Sequence, residues 1–308
     1  MSSPGRGGGI RVACAGLVGF LLGFLASGSG MRDVPGGGGY YLPSQYAVRS
    51  EDRQFYAEAI SRARARDGAG PAPVSTSGSI VRWGLVSHHL LIRDLIAKFF
   101  ETLSSRARPR TIVILGPNHY LRGVAPIAVS RLAWKTPYGF LSPGEGLIAT
   151  LLRDTLAAVD EDAFYNEHSI GALVPFVRYY FPRALVVPII LRPDVDTATA
   201  RRLASFLSRL DPGVLCIGSL DFSHYKPSSV AWGEDSITYD VIAHFDPSRW
   251  GEASVDSHII LRVILQSCNL LGAHEITMVR HTNSGELEKR PDLPCTSYMN
   301  MLLSQKQY

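Results

Sequence analysis

Histidines in four short motifs stand where a side chain can do chemistry. His88 and His89 sit together in L-V-S-H-H-L-L, His119 closes T-I-V-I-L-G-P-N-H, His168 lies in N-E-H-S-I and His224 in S-L-D-F-S-H-Y. A neutral imidazole ligates transition metals, and its ordinary pKa also suits it to proton transfer near neutrality. Two imidazoles and one carboxylate on one face hold non-haem Fe(II) and leave positions open for substrate and oxygen. The same set suits zinc with a water in the open position. The chain offers a carboxylate at Asp256, in V-D-S-H. Asp256 also reads as the N-cap of a helix starting at Ser257, so ligand and cap stand side by side. Asp221, three residues before His224, has three readings: orienting that ring, binding metal, or forming an Asx-type turn. His88 is the candidate for one ligand position, with the adjacent His89 as its alternative.

The elements around these motifs have the pattern of alternating strands and helices that builds a mostly parallel sheet. Ile112 to Leu115 is a continuous aliphatic run, the mark of a strand buried on both faces. Gly116 and Pro117 end it, leaving Asn118 and His119 on the turn past its carboxyl end. Ile80 to Val86 and Val214 to Leu220 read as further strands, and His88 and His224 follow them. Parallel strands deliver such turns to one edge, where open α/β sheets bind ligands, so His88, His119 and His224 are expected to share a site. Strands are also expected at Val124 to Val129, Ala184 to Leu191, Ile276 to Arg280 and Ser297 to Leu303. Helices are expected over Leu90 to Leu103, Leu147 to Ala158, Leu173 to Tyr180, Ala198 to Leu210, Glu234 to Phe245 and Ser257 to Leu271. His244, His258, His274 and His281 have no comparable context and read as structural or exposed.

The whole chain has 308 residues, 46% hydrophobic and 19% charged, which is enough for one large core. Its net charge of +4 comes without a dense basic stripe interleaved with aromatics, so no nucleic-acid partner is expected. The four cysteines (Cys14, Cys216, Cys268 and Cys295) include no C-x-x-C pair, which removes the common zinc patterns and any disulfide framework.

The first thirty residues read as a signal peptide or membrane anchor. Arg6 and Arg11 precede the uncharged apolar run Val12 to Ala26, and Ala26-Ser27-Gly28 supplies a small-x-small cleavage pattern. The protein is therefore expected to be exported or anchored on the extracytoplasmic face. Residues 31–79 read as an irregular linker and docking segment, with a glycine tether at 36–39 and helical character over Glu51 to Arg66. Residues 80–308 read as one α/β domain.

L-G-P-N-H at Leu115 to His119, E-H-S-I at Glu167 to Ile170 and S-L-D-F-S-H-Y at Ser219 to Tyr225 occur in the order seen in MEMO-like proteins, among them the AmmeMemoRadiSam system protein B group. The resemblance runs from about Ile80 to Leu303. It implies a single-domain, mostly parallel sheet flanked by helices, similar to the class III extradiol ring-cleaving dioxygenase (LigB-like) fold. By position it implies His88, His119 and Asp256 as metal ligands and His224 as an acid/base; Asp221 and His168 are expected to line the pocket. Many members of the family have Cys followed by Gly where this chain has Asp256-Ser257, and P-H-A-G-Y where it has S-H-H-L-L.

Two functions follow as expectations. One is a non-haem iron site, Fe(II) first with Zn or Cu as alternatives, giving redox or dioxygenase-like activity on a small molecule. The other is a non-catalytic protein that binds a metal or peptide in the same pocket. A scaffold with relic histidines is a third, weaker reading.

Overall fold

Ile112, Val113, Ile114 and Leu115 are completely buried, as a continuous apolar run must be when helices cover both faces of its sheet. Period-two alternation divides them between two cores. Val113 and Leu115 face one apolar cluster, and Ile112 and Ile114 face the other.

The computed structural model describes residues 44–65, 78–246 and 248–306. The apolar run at 12–26, the glycine tether and most of the 67–79 loop lie outside them. Among the described residues no helix is long and apolar enough to cross a membrane.

In chain order the elements are β1 (Ser44–Tyr46), α1 (Arg53–Ala65), β2 (Ser79–Val86), α2 (Arg93–Arg106), β3 (Thr111–Pro117), β4 (Ile127–Val129), β5 (Ala133–Thr136) and β6 (Gly139–Leu141). Next come α3 (Glu145–Arg153), β7 (Ala158–Val159), α4 (His168–Gly171), α5 (Val174–Tyr180), β8 (Leu185–Leu191), α6 (Thr197–Ser208), β9 (Val214–Ser219) and β10 (His224–Lys226). The last are α7 (Ser228–His244), α8 (His258–Leu271), β11 (Glu275–Asn283), α9 (Ser284–Leu287) and β12 (Cys295–Lys306).

The main sheet runs β10-β12-β2-β9-β3-β8-β4-β7, with β11 also paired to β12. Its centre, β2-β9-β3-β8, is parallel throughout. Antiparallel ladders flank that centre, β12 on β2 and β4 on β8. Buried residues of α3, α6 and α8 line one core; those of α1, α2 and α5 line the other. The segment ahead of β2 is part of this body: β1 pairs in parallel with β5, and Tyr56, Ala59 and Ile60 of α1 are buried.

Several elements depart from the pattern read in the sequence. Val124 is 91% exposed, and its backbone N–H donates to Asp160, so the strand expected from Val124 begins at Ile127. The helix expected to reach Ala158 stops at Arg153, because Thr155 takes a left-handed backbone and the chain turns into β7. Helix α7 starts six residues early, at Ser228 behind Pro227, since proline suits a helix start. The β5–β6 hairpin was not anticipated; it turns at Gly139, whose φ of +100° favours glycine.

Because β2, β9 and β3 are parallel, their carboxyl ends reach one edge, with Val86 beside Ser219 and Leu115 beside Gly218. A short helix is packed onto that edge. Gly116 makes the approach possible: a Cβ there would lie 2.4 Å from Ser169 Oγ, the hydroxyl that donates to the Pro117 carbonyl. Gly116→Ala should therefore cost about 1–3 kcal/mol in urea unfolding through overpacking. Gly146→Ala, where the added carbon meets nothing within 4 Å, should cost nothing.

Candidate metal centre

His119 leaves the turn after β3 and is fixed at two points by one carboxylate. Its backbone N–H donates to Glu167 Oε2 at 2.8 Å, and its ring Nδ1 meets Glu167 Oε1 at 2.8 Å. Glu167 is itself 2% exposed and caps α4 by accepting from the Ser169 N–H. Asn118 shapes the rest of the turn: its side chain donates to the Arg122 carbonyl and accepts from the Arg122 N–H.

His88 leaves the turn after β2 and is buried. Its Nδ1 lies 3.0 Å from Ser219 Oγ, whose own hydrogen goes to the Ser169 carbonyl. The hydroxyl can then only accept from the ring, so the proton of a neutral His88 is on Nδ1 and the Nε2 lone pair is bare. His89 points elsewhere, with Nδ1 2.7 Å from the Tyr298 hydroxyl. The geometry thus separates the two adjacent histidines: His88 faces the cluster and His89 does not.

His168, at the start of α4, brings the third imidazole. The ligating atoms of His88, His119 and His168 all lie within 4.8 Å of one another. The His119 and His168 rings stack at 4.2 Å, and the His88 ring is 5.0 Å and 5.1 Å from them. Tyr120 OH lies 3.4 Å from His168 Nδ1.

Asp256 faces the same point. Its Oδ2 is 3.5 Å from His88 Nε2 and 3.7 Å from His119 Nε2. It does not cap α8: the N-cap is Ser257, with no side-chain capping bond. Its Oδ2 accepts from the Asp221 N–H at 3.1 Å, and Asp256 Oδ1 is buried with no hydrogen-bond partner among the described residues. Asp221 is also buried. Its Oδ1 accepts from the His88 N–H, and its Oδ2 lies 3.7 Å from His88 Nε2.

His224 is outside the three-imidazole cluster, at the head of β10 and beside Tyr225, with ring centroids 5.7 Å apart. It is near enough for a charge on it to lower the pKa of both His88 and His89. His244, His258, His274 and His281 are engaged elsewhere, with Asp240, the Ala253 carbonyl, Asn269 and Asp235. The roles of Glu167 and Ser219 were not read from the sequence. Both lie inside the quoted motifs, but the partner of each is distant in the chain.

The electrostatics divide the cluster. Burial, then the neighbouring imidazoles, holds His88 well below the usual histidine range, and burial and His119 push His168 down to about 4. Burial also acts to lower His119, but the carboxylates of Asp256 and Glu167 outweigh it and raise the ring to about 9. Burial, then the charge of Asp256, pushes Asp221 up to about 8. The His119 hydrogen bond and charge outweigh burial at Glu167 and keep it below its usual range.

These residues fit a cation. Donor atoms bound at about 2.0–2.2 Å to one metal lie about 3.0–3.6 Å apart, close to the separations of Asp256 Oδ2 from the two Nε2 atoms. The orphaned Asp256 Oδ1 is what a missing partner leaves behind.

The architecture is that of an α/β protein with an imidazole and carboxylate cluster at the carboxyl edge of a parallel sheet centre. The chain belongs to the Memo-like protein family, whose model matches residues 86–302. It is 31% identical over 202 residues to a MEMO1 family protein of Pyrobaculum aerophilum, covering 62% of this chain and 71% of the relative. It is 30% identical over 235 residues to a MEMO1 family protein of Thermotoga maritima, covering 74% and 78%. Among solved structures, an uncharacterized protein of Escherichia coli K12 is 14% identical with a TM-score of 0.49, covering 71% of this chain and 99% of that one.

Metal uptake should release protons. At neutral pH His119 carries two ring protons and must lose one to ligate. Affinity should therefore rise about tenfold per pH unit up to roughly pH 9, and calorimetry in buffers of different ionisation enthalpy should count at least one proton released per metal near pH 7. A flat profile would remove His119 from the ligand set.

Proposed function

We propose that this protein binds a divalent transition metal through His88, His119 and Asp256, and that Fe(II) is the metal its donor set suits first, with zinc or copper as alternatives. The observation that carries this reading is the placement of Asp256 Oδ2 against the Nε2 atoms of His88 and His119, 3.5 Å and 3.7 Å away, with its other oxygen buried and unpartnered among the described residues. Two nitrogens and one oxygen form the 2-His-1-carboxylate set associated with non-haem Fe(II).

The proposed activity is a redox, dioxygenase-like reaction on a small molecule. When bound, the metal supplies Lewis acidity and a place for substrate and oxygen. The protein's own groups handle orientation and protons. Glu167 and Ser219 fix the tautomers of His119 and His88, so that both Nε2 atoms face inward. Asp221, held up to about 8 by burial and by Asp256, keeps a proton beside His88 at neutral pH. His224, outside the cluster, is the base that takes a proton from an incoming hydroxyl. Export or membrane attachment is proposed on the apolar run at Val12 to Ala26.

One observation favours a second reading, in which metal is held without turnover. His168 adds a third imidazole within ligating range, and four protein donors make the closed set typical of structural sites. Oxygen uptake with catechols under Fe(II) distinguishes the two readings, since the closed site predicts none.

Elemental analysis of gently purified protein should find about one transition metal per chain. His119→Ala should lose it while the far-UV circular dichroism stays unchanged, and equal metal content in variant and parent would refute the assignment. His224→Ala should retain the metal and lose turnover. Loss of metal from that variant would make His224 a ligand instead.

A further inference from the structure

Arginines on much of the described surface sit beside carboxylates. Arg49 pairs with Asp52, Arg110 with Asp211, Arg131 with Glu145, and Arg249 with both Asp240 and Glu252. The outer face of α6 breaks this pattern. Arg201 has no hydrogen-bond or ion-pair partner among the described residues. Arg202 is spent on uncharged oxygens, the Asp154 carbonyl at 3.0 Å and Thr155 Oγ1 at 3.3 Å. Arg209, at the C-cap of α6, donates to the Ser205 hydroxyl. The carboxylate lining the same hollow among the described residues, Asp154, is already held by Arg153 Nε at 3.1 Å.

These three guanidinium groups line a depression of about 350 Å³ whose remaining walls are Asp154, Ser205 and the buried side chains of Leu156 and Phe206. None of the imidazole cluster borders it. Arg201 also borders a second depression, of about 390 Å³, with Trp250 and Arg262, so it stands between two hollows.

Gathering three guanidinium groups beside one carboxylate, itself shared with Arg153, leaves an excess of positive charge that costs electrostatic free energy unless a further anion joins them. Guanidinium forks match the oxygens of a phosphate, which can accept several of them at once. Arg202 is pre-set by its neutral oxygens and keeps its full charge for the cleft. The apolar wall of Leu156 and Phe206 suits an anion carried on an apolar or planar group over a bare ion.

We propose that this cleft binds a phosphate monoester or diester attached to an apolar moiety, at a site separate from the imidazole cluster and independent of any metal there. Two sources share that chemistry: a soluble phosphorylated small molecule and a phospholipid headgroup.

The probe is phenyl phosphate, titrated calorimetrically into the full chain and into Arg201→Gln, Arg201→Gln/Arg209→Gln and Arg131→Gln variants. Saturable binding should weaken about tenfold or more without Arg201, the loss of a charge-assisted hydrogen bond, and should fall with added salt. Arg131→Gln, which changes an exposed arginine that is paired with Glu145, should bind like the parent. Unchanged circular dichroism and metal content in each variant shows that the fold is intact.

A second arm sediments the same proteins with phosphatidylcholine vesicles, with and without phosphatidylglycerol. Preference for the anionic vesicles that depends on Arg201 identifies a headgroup as the source. Phenyl phosphate binding that depends on Arg201, with equal vesicle binding by parent and variant, identifies a soluble ligand. Absence of any dependence on Arg201 in both arms overturns the proposal.

Discussion

The buried carboxylate of Glu167 is the joint on which the rest of the site turns. It accepts from both the backbone and the ring of His119 and from the Ser169 N–H at the head of α4. The turn after β3 and the start of α4 therefore move as one unit, although 48 residues separate His119 from Glu167. An anion at that depth is stable only while its partners stay in place. Ser169 reinforces the joint, since its hydroxyl reaches the Pro117 carbonyl and its own carbonyl receives Ser219 Oγ. Through Ser219 the same short helix sets the His88 ring, so one element orients the imidazoles of two different strands.

That orientation creates a problem that only positive charge can solve. With protons fixed on Nδ1, the Nε2 lone pairs of His88 and His119 face the oxygens of Asp256, and Asp221 adds a second carboxylate beside His88. Without a metal, protons carry the burden: His119 rises to about 9 and Asp221 to about 8. Protonation here stands in for a cation, and the two compete for the same lone pairs.

How much of this was legible in the sequence follows from which features are local. The aliphatic run of β3 and its Gly-Pro stop are local, and they placed His119 on the correct edge. The edge strand β10 is only three residues long and carries no alternation to read, so the sequence puts His224 on a turn like those of His88 and His119. The choice between His88 and His89 depends on the backbone twist after Val86, which composition does not encode. Asp256 looked like a cap because it precedes an apolar-periodic helix. The helix begins one residue later, with Ser257 in extended backbone at φ −144°, and this frees the Asp256 side chain to turn inward. The partnership of Glu167 with His119 depends on tertiary packing alone; its neighbour in sequence, His168, is the less strongly held of the two rings.

The aspartate at 256 bears on both the metal and the framework. Where the resemblance sets a thiol in many relatives, Asp256 would give the proposed metal site a hard oxygen donor, which with imidazole nitrogen suits Fe(II) better than the soft monovalent copper that thiolates select. The same carboxylate does something a thiol does poorly, because sulfur is a weak hydrogen-bond acceptor. Asp256 Oδ2 accepts from the Asp221 N–H while the Asp256 N–H donates to the Asp221 carbonyl. This reciprocal pair locks the turn after β9 to the entry of α8. It holds Asp221, which in turn accepts from the His88 N–H. Replacing oxygen by sulfur at this one position would therefore loosen the turn that carries Asp221 and, in the proposed site, would change the donor offered to a metal. In the proposed site one atom, Asp256 Oδ2, would be both a metal donor and a fixed point of the turn that holds Asp221.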